Sequence, residues 1–210
     1  MILFLLFSIP LFYISFSLLY HYKEGRIKFY FIDFFKGILW FFPVLLIYLF
    51  FKGFFQLSYK PFFQYMYYFN RDHFLQIIFV LSGYILLYYI RQPHNTKSRF
   101  IEVFSFLSGY YTLNCIQYFL TYINDLDLYI LFTLPIIRLF TILTLSFLLD
   151  KFLEAFQTTK IFYGIIMFLV PVLSGFITIF HMRGLSLLSL FLSLGLFGGA
   201  FTAYYFLKDT

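Results

Sequence analysis

Apolar residues along the chain fall into seven long runs, roughly 1–20, 36–54, 74–90, 101–123, 128–149, 161–180 and 185–207, separated by short polar stretches. Each is long enough to cross a bilayer as a helix rising about 1.5 Å per residue. None alternates inside and outside in the manner of a barrel strand. The pattern predicts an all-α, polytopic transmembrane helical bundle of about seven spans, forming one integral membrane domain over 1–210. The second run is the weakest, because Lys36 and Lys52 bracket a short core containing Pro43. Both lysines sit among phenylalanines, along which their stems can lie while the ammonium reaches water.

Two segments beside the runs mix aromatic and polar residues. In 22–36, Ile27, Phe31, Phe34 and Phe35 recur at helical spacing among basic residues. That suits either a helix lying in the headgroup layer or a frayed start to the second span. In 54–70, crowded with Phe and Tyr, the expectation is an interfacial helix broken at Pro61, or a short re-entrant turn. The phrase LSGY at 81–84 and 107–110, with LSGF at 173–176, reads as a helix-packing device rather than a repeat.

Composition agrees with the pattern. The chain is 62% hydrophobic, 27% aromatic and only 11% charged, against about 25% charged for a soluble domain. The net charge of +6 is scattered between apolar runs, which points to anionic lipid headgroups and excludes a nucleic-acid footprint. The lone Cys115 excludes an intrachain disulfide. Residues 1–20 lack a basic n-region and a small-residue cleavage site, so they read as an uncleaved first helix. Ten basic residues (Lys23, Arg26, Lys28, Lys36, Arg91, Lys97, Arg99, Lys151, Lys160, Lys208) fall on one side of the runs and four (Lys52, Lys60, Arg71, Arg183) on the other. That bias predicts the N-terminus outside and the C-terminus in the cytoplasm, in a cytoplasmic (inner) membrane.

The remaining basic residue, Arg138, is the only charge between Leu128 and Leu149 and sits at the midpoint, one turn after Pro135. A mid-bilayer arginine costs about 2.5–3.5 kcal/mol on insertion scales, so it requires a buried partner. All nine acids fall in predicted loops or at span ends. The fourth run offers a neutral stripe of Tyr110, Asn114, Gln117 and Thr121 on one helical face, where amide and hydroxyl oxygens accept hydrogen bonds. Three readings follow. Arg138 is satisfied by Asn114, Gln117, tyrosines and the carbonyl freed by Pro135. Or it binds an anionic group, a lipid phosphate or small anion. Or it pairs with a carboxylate of another subunit. The triplet Arg138-Leu139-Phe140 resembles the essential-arginine helix of the rotary ATP synthase a-subunit. The asparagine expected beyond it is Ile142 here, and no later span carries a well-placed glutamine, so the resemblance is not adopted.

In the seventh run Gly195, Gly199 and Ala203 form a small-residue stripe beside Gly198, suited to packing within the bundle or to docking on a partner or second copy. Asp72, His73, Asp125, Asp127 and His181 lie in loops on the outer side, but their spacing matches no metal site. His21 and His94 read as solvated loop residues. No nucleophile set, HExxH pair or phosphate loop is present, and no cofactor or metal is expected. The functional expectation is a non-catalytic membrane-embedded subunit of a transport, ion-translocating or envelope-assembly complex, with a protein partner or second copy. The alternatives are a seven-span sensory or ligand-binding module and an intramembrane enzyme acting on lipid. The sensory module resembles bacterial seven-helix receptors in span number, length and orientation, and would signal through a partner.

Overall fold

A computed structural model describes residues 2–22, 30–52, 61–91, 99–154 and 157–207. All elements among them are helical: α1 (Ile2–Tyr22), α2 (Phe31–Lys52), α3 (Pro61–Phe69), α4 (Leu75–Arg91), α5 (Arg99–Thr121), α6 (Leu134–Glu154), α7 (Gln157–Met182) and α8 (Ser186–Leu207). Two π turns, Asn70–Phe74 and Tyr129–Thr133, join α3 to α4 and lead into α6. Among the described residues six helical rods are long and apolar enough to cross a membrane, including the continuous Phe62–Ile90 and Tyr129–Glu154. This is compatible with an integral membrane protein.

The seventh rod, α5, is not among those six. It carries Arg99, Glu102, Asn114 and Gln117, yet it is lined with buried residues from Arg99 to Tyr118 and packs against α1, α2, α4 and α6. Its polarity is tolerated because protein, not lipid, surrounds it. Helix α6 is the other central element, with 83% of its apolar window buried against 11% for α8. Most large side chains that stay exposed lie on the outer rods, such as Leu3 and Leu11 on α1, Leu39 and Leu46 on α2, Phe168 and Phe176 on α7 and Phe191 on α8. Five buried hydroxyls are absorbed locally. Ser105, Thr112, Thr141, Ser146 and Ser174 each donate back to the carbonyl four residues earlier.

Caps mark the ends. Asp127 accepts from the Ile130 amide at 3.0 Å and starts the second π turn. At the end of α7, Gly184 takes φ +80°. Its amide bonds the His181 carbonyl at 2.8 Å and that of Leu185 bonds the Phe180 carbonyl at 3.0 Å. This is the double hydrogen bond of a Schellman cap, and it turns the chain directly into α8.

Several sequence expectations change. Helix α2 begins at Phe31, so residues 31–36 belong to that rod, while 23–29 lie outside the described residues. Pro61 is the first described residue of its helix, a position where a missing N–H costs little, and the rod continues from it to Arg91; whether it breaks a longer helix falls on residues outside the described part. Residues 54–60 lie outside the described part. His21 is buried rather than solvated and lies beside the Tyr20 and Tyr30 rings, whereas His94 is outside the described residues. Arg99 is also buried, 3.9 Å from Asp150.

The close helix crossing lies elsewhere than the stripe on α8. A Cβ at Gly195, Gly198 or Gly199 meets nothing within 4 Å, and Ala203 is exposed, so the stripe packs against no helix among the described residues. A Cβ at Gly37 of α2 falls closer than 3.0 Å to the Phe106 carbonyl, and one at Gly109 of α5 closer than 3.0 Å to the Phe34 carbonyl. Each glycine thus receives the other helix's backbone. Gly83 and Gly175 similarly abut the Trp40 and Phe69 rings. The three LSG(Y/F) glycines therefore all serve close contacts, each with a different group, as packing requires and a repeat does not.

Candidate functional site

The first π turn places Arg71, Asp72 and His73 in succession at the centre of the Pro61–Arg91 rod. Asp72 is 3% exposed and His73 is fully buried. The expectation that every acid lies in a loop or at a span end is therefore corrected. The turn adds a residue to the helical register and aims these side chains between α5, α6 and α7. Such wide turns recur at functional sites. Arg71 closes on its neighbour through Nε to Oδ1 and through Nη2 to Oδ2, the latter at 2.8 Å. The bidentate pair is close to neutral, which makes its burial tolerable. Arg71 also donates to the Tyr122 hydroxyl at 3.2 Å and lies over the Tyr68 ring, 4.6 Å from its centroid.

Arg138, fully buried, faces the same turn from α6. Its Nη2 donates to the Asp72 main-chain carbonyl at 2.9 Å and to Gln76 Oε1 at 3.3 Å. The rings of Tyr111 and Tyr118 stand 5.3 and 5.8 Å from its guanidinium carbon. Its Nε and Nη1 have no acceptor, and the guanidinium makes no ion pair, among the described residues. The carbonyl it uses belongs to the π turn and not to the turn before Pro135. The amide it uses is Gln76 of α4, not Asn114 or Gln117.

The α5 stripe is displaced by one position. The face turned to Arg138 carries Tyr111 and Tyr118. Tyr110, also buried, meets Phe41 instead. Asn114 is buried with neither amide atom bonded among the described residues. Gln117 lines a cavity of about 110 Å³ together with Arg71, Gln76 and Tyr118. Sequence reasoning missed Asp72, Gln76, Tyr111 and Tyr118. The available signal was the adjacent Arg-Asp pair, which can enter a bundle as a unit.

A second cavity, of about 290 Å³, lies between the α5–α6 connection and α7. Asp125, Asp127 and His181 line it, and so do Arg71, Asp72 and Thr178. His181 Nε2 is 2.9 Å from Asp127 Oδ2, and its ring stacks on Tyr129 with centroids 4.5 Å apart. Behind that ring the Tyr129 hydroxyl and His73 Nε2 both meet Thr178 Oγ1 at 2.6 Å. Asp72, Asp125, Asp127 and His181 thus line one cavity, but no three acids or histidines form a metal-ligating group among the described residues.

The arrangement holds two guanidinium cations against one carboxylate, in a polar centre flanked by two cavities. Chemically it can bind a negative group. Two hydroxyls meet a histidine here: Thr178 Oγ1 lies 2.6 Å from His73 Nε2, and Ser186 Oγ lies 3.1 Å from His181 Nδ1, the ring whose Nε2 faces Asp127. Comparison with family models, curated proteins and solved structures finds no match for this chain.

Proposed function

We propose that this protein is a non-catalytic, membrane-embedded subunit of a transport, ion-translocating or envelope-assembly complex, and that Arg138 holds a negative group from outside its own chain. One observation carries the reading. A fully buried guanidinium spends one nitrogen on neutral oxygens and leaves Nε and Nη1 without acceptors among the described residues. Neutral oxygens and tyrosine faces satisfy donors and soften the charge, but they do not neutralise it. A phosphate or a carboxylate does both, in the fork geometry that guanidinium favours. The cavity reaching Asp72 and Arg71 from the α5–α6 connection is the natural approach. That same cavity favours a second reading, a ligand-binding module that signals through a partner.

The test is to purify the full chain in mild detergent and analyse what stays bound. Mass spectrometry and phosphorus NMR should detect a phosphate-bearing species, or a second polypeptide should co-purify, at about one per chain. Recovery of the protein alone, with Arg138 still buried and folded, overturns the reading.

Orientation belongs to the same proposal. The ten-to-four basic bias puts the 91–100 and 150–160 segments in the cytoplasm and the 124–127 connection, with its cavity, outside. In a Cys115→Ala background, Asp125→Cys should label from outside intact cells and Ser98→Cys should not. The reverse pattern inverts the topology.

A further inference from the structure

We infer that the groove between α3 and α7 is a binding site for one anionic glycerophospholipid, with an acyl chain in the groove and the phosphate on Arg183. The site is separate from Arg138 and does not rest on it.

The groove is a cavity of about 230 Å³ walled by Phe62, Met66 and Phe69 on α3 and by Val172, Phe176 and Ile179 on α7. On each helix these positions recur at three- and four-residue spacing, so each contributes one continuous face. The helices approach because Gly175 lets the Phe69 ring sit against the α7 backbone. Phe62, Met66 and Phe176 remain 67%, 42% and 54% exposed along it. The one polar group in the wall is Tyr65, and no acid among the described residues lines the groove.

Tyr65 connects the groove to a cation. The Arg183 guanidinium stands over its ring, 5.6 Å from the centroid. Arg183 is the residue just past the end of α7, held there by the Schellman turn at Gly184. It is exposed and makes no ion pair among the described residues. An apolar furrow thus runs along a membrane-length helix and ends beneath a fixed guanidinium at the helix terminus, where the headgroup layer lies. A partner helix would fill the furrow but has no need of the cation. A water-borne anion would use the cation but not the furrow. A phospholipid uses both. An anionic headgroup is favoured because the groove offers no carboxylate to an amine.

The experiment is native mass spectrometry of the full chain in detergent, titrated with palmitoyl-oleoyl phosphatidylglycerol or the matching phosphatidylcholine. The wild type should bind one phosphatidylglycerol about fivefold more tightly than phosphatidylcholine, the scale of one interfacial basic residue. Arg183→Gln, an exposed change expected to leave the fold alone, should remove that preference. Val172→Trp, which fills the furrow, should weaken both lipids, with folding checked by an unchanged melting temperature. A large excess of inorganic phosphate should not displace the lipid. The inference is overturned by equal affinity for the two lipids in the wild type, by a preference that survives Arg183→Gln, by displacement with phosphate alone, or by a photo-crosslinker at Phe176 that captures a protein instead of lipid. If Val172→Trp melts early, Ile179→Trp takes its place in the same comparison.

Discussion

Replacing Arg138 with glutamine is expected to weaken retention of the bound anion roughly ten- to hundredfold while leaving the helical bundle folded. That loss corresponds to about 1.4–3 kcal/mol, the range of a hydrogen bond to a charged group. The fold should survive because glutamine removes the costly charge, which insertion scales put at about 2.5–3.5 kcal/mol. It also keeps an amide that can donate to the Asp72 carbonyl, the acceptor Arg138 uses at 2.9 Å. Arg138→Lys should behave differently. It preserves the charge, but a single ammonium cannot bond the Asp72 carbonyl and Gln76 Oε1 and still present a planar fork to a ligand. Binding should therefore fall by a similar factor, and stability should fall more than in the glutamine variant because the buried charge loses part of its cradle. The measurement pairs thermal melting with the amount of phosphate or partner retained per chain. If Arg138→Gln lowers the melting temperature sharply and the folded remainder keeps its ligand, the arginine only holds the bundle together.

The rods were largely legible in the sequence, and so was the burial of Arg138. A charge at the midpoint of a 22-residue apolar run has nowhere to go but inward. The partners were not legible, for two physical reasons. The four polar residues Asn70, Arg71, Asp72 and His73 look like the boundary between an interfacial segment and a span. They are instead a π turn inside one rod, tolerable because Arg71 and Asp72 neutralise each other. The face of α5 was also misplaced. Tyr110 and Asn114 sit one position away from Tyr111 and Cys115, and one position is a rotation of about 100°. On a helix enclosed nearly all round, no amphipathic phase fixes which side meets Arg138. The glycines follow the same logic. Regular spacing advertised Gly195 and Gly199, but lone glycines at 37 and 109 form the crossing, because a backbone-to-backbone approach needs one missing side chain per helix at the point of contact and no repeat.

That crossing yields the largest effect on folding. At Gly109 a methyl group would fall closer than 3.0 Å to the Phe34 carbonyl and 3.2 Å from the Ile38 amide nitrogen. At Gly37 it would crowd the Phe106 carbonyl and stand 2.9 Å from the Tyr110 nitrogen. The opposing atoms are backbone, so no side chain can rotate away, and the axes of α2 and α5 must separate. Gly109→Ala should cost about 1–3 kcal/mol, the usual scale of overpacking. Gly109→Leu should fail to yield folded protein, since α5 carries the contacts to α1, α4 and α6 as well. Tyr110 and Tyr111 follow Gly109 directly, so a shift of α5 at this point also moves the Tyr111 ring away from Arg138. Gly109→Ala should therefore lower ligand retention together with the melting temperature. Gly199→Leu is the matched control: its Cβ meets nothing within 4 Å, so the isolated chain should melt as the parent does. If it melts normally yet loses a co-purifying partner, the α8 stripe is a docking face. If instead Gly109→Ala melts like the parent while Gly199→Leu does not fold, the close contact lies on α8 and the α2–α5 crossing is not what holds the bundle.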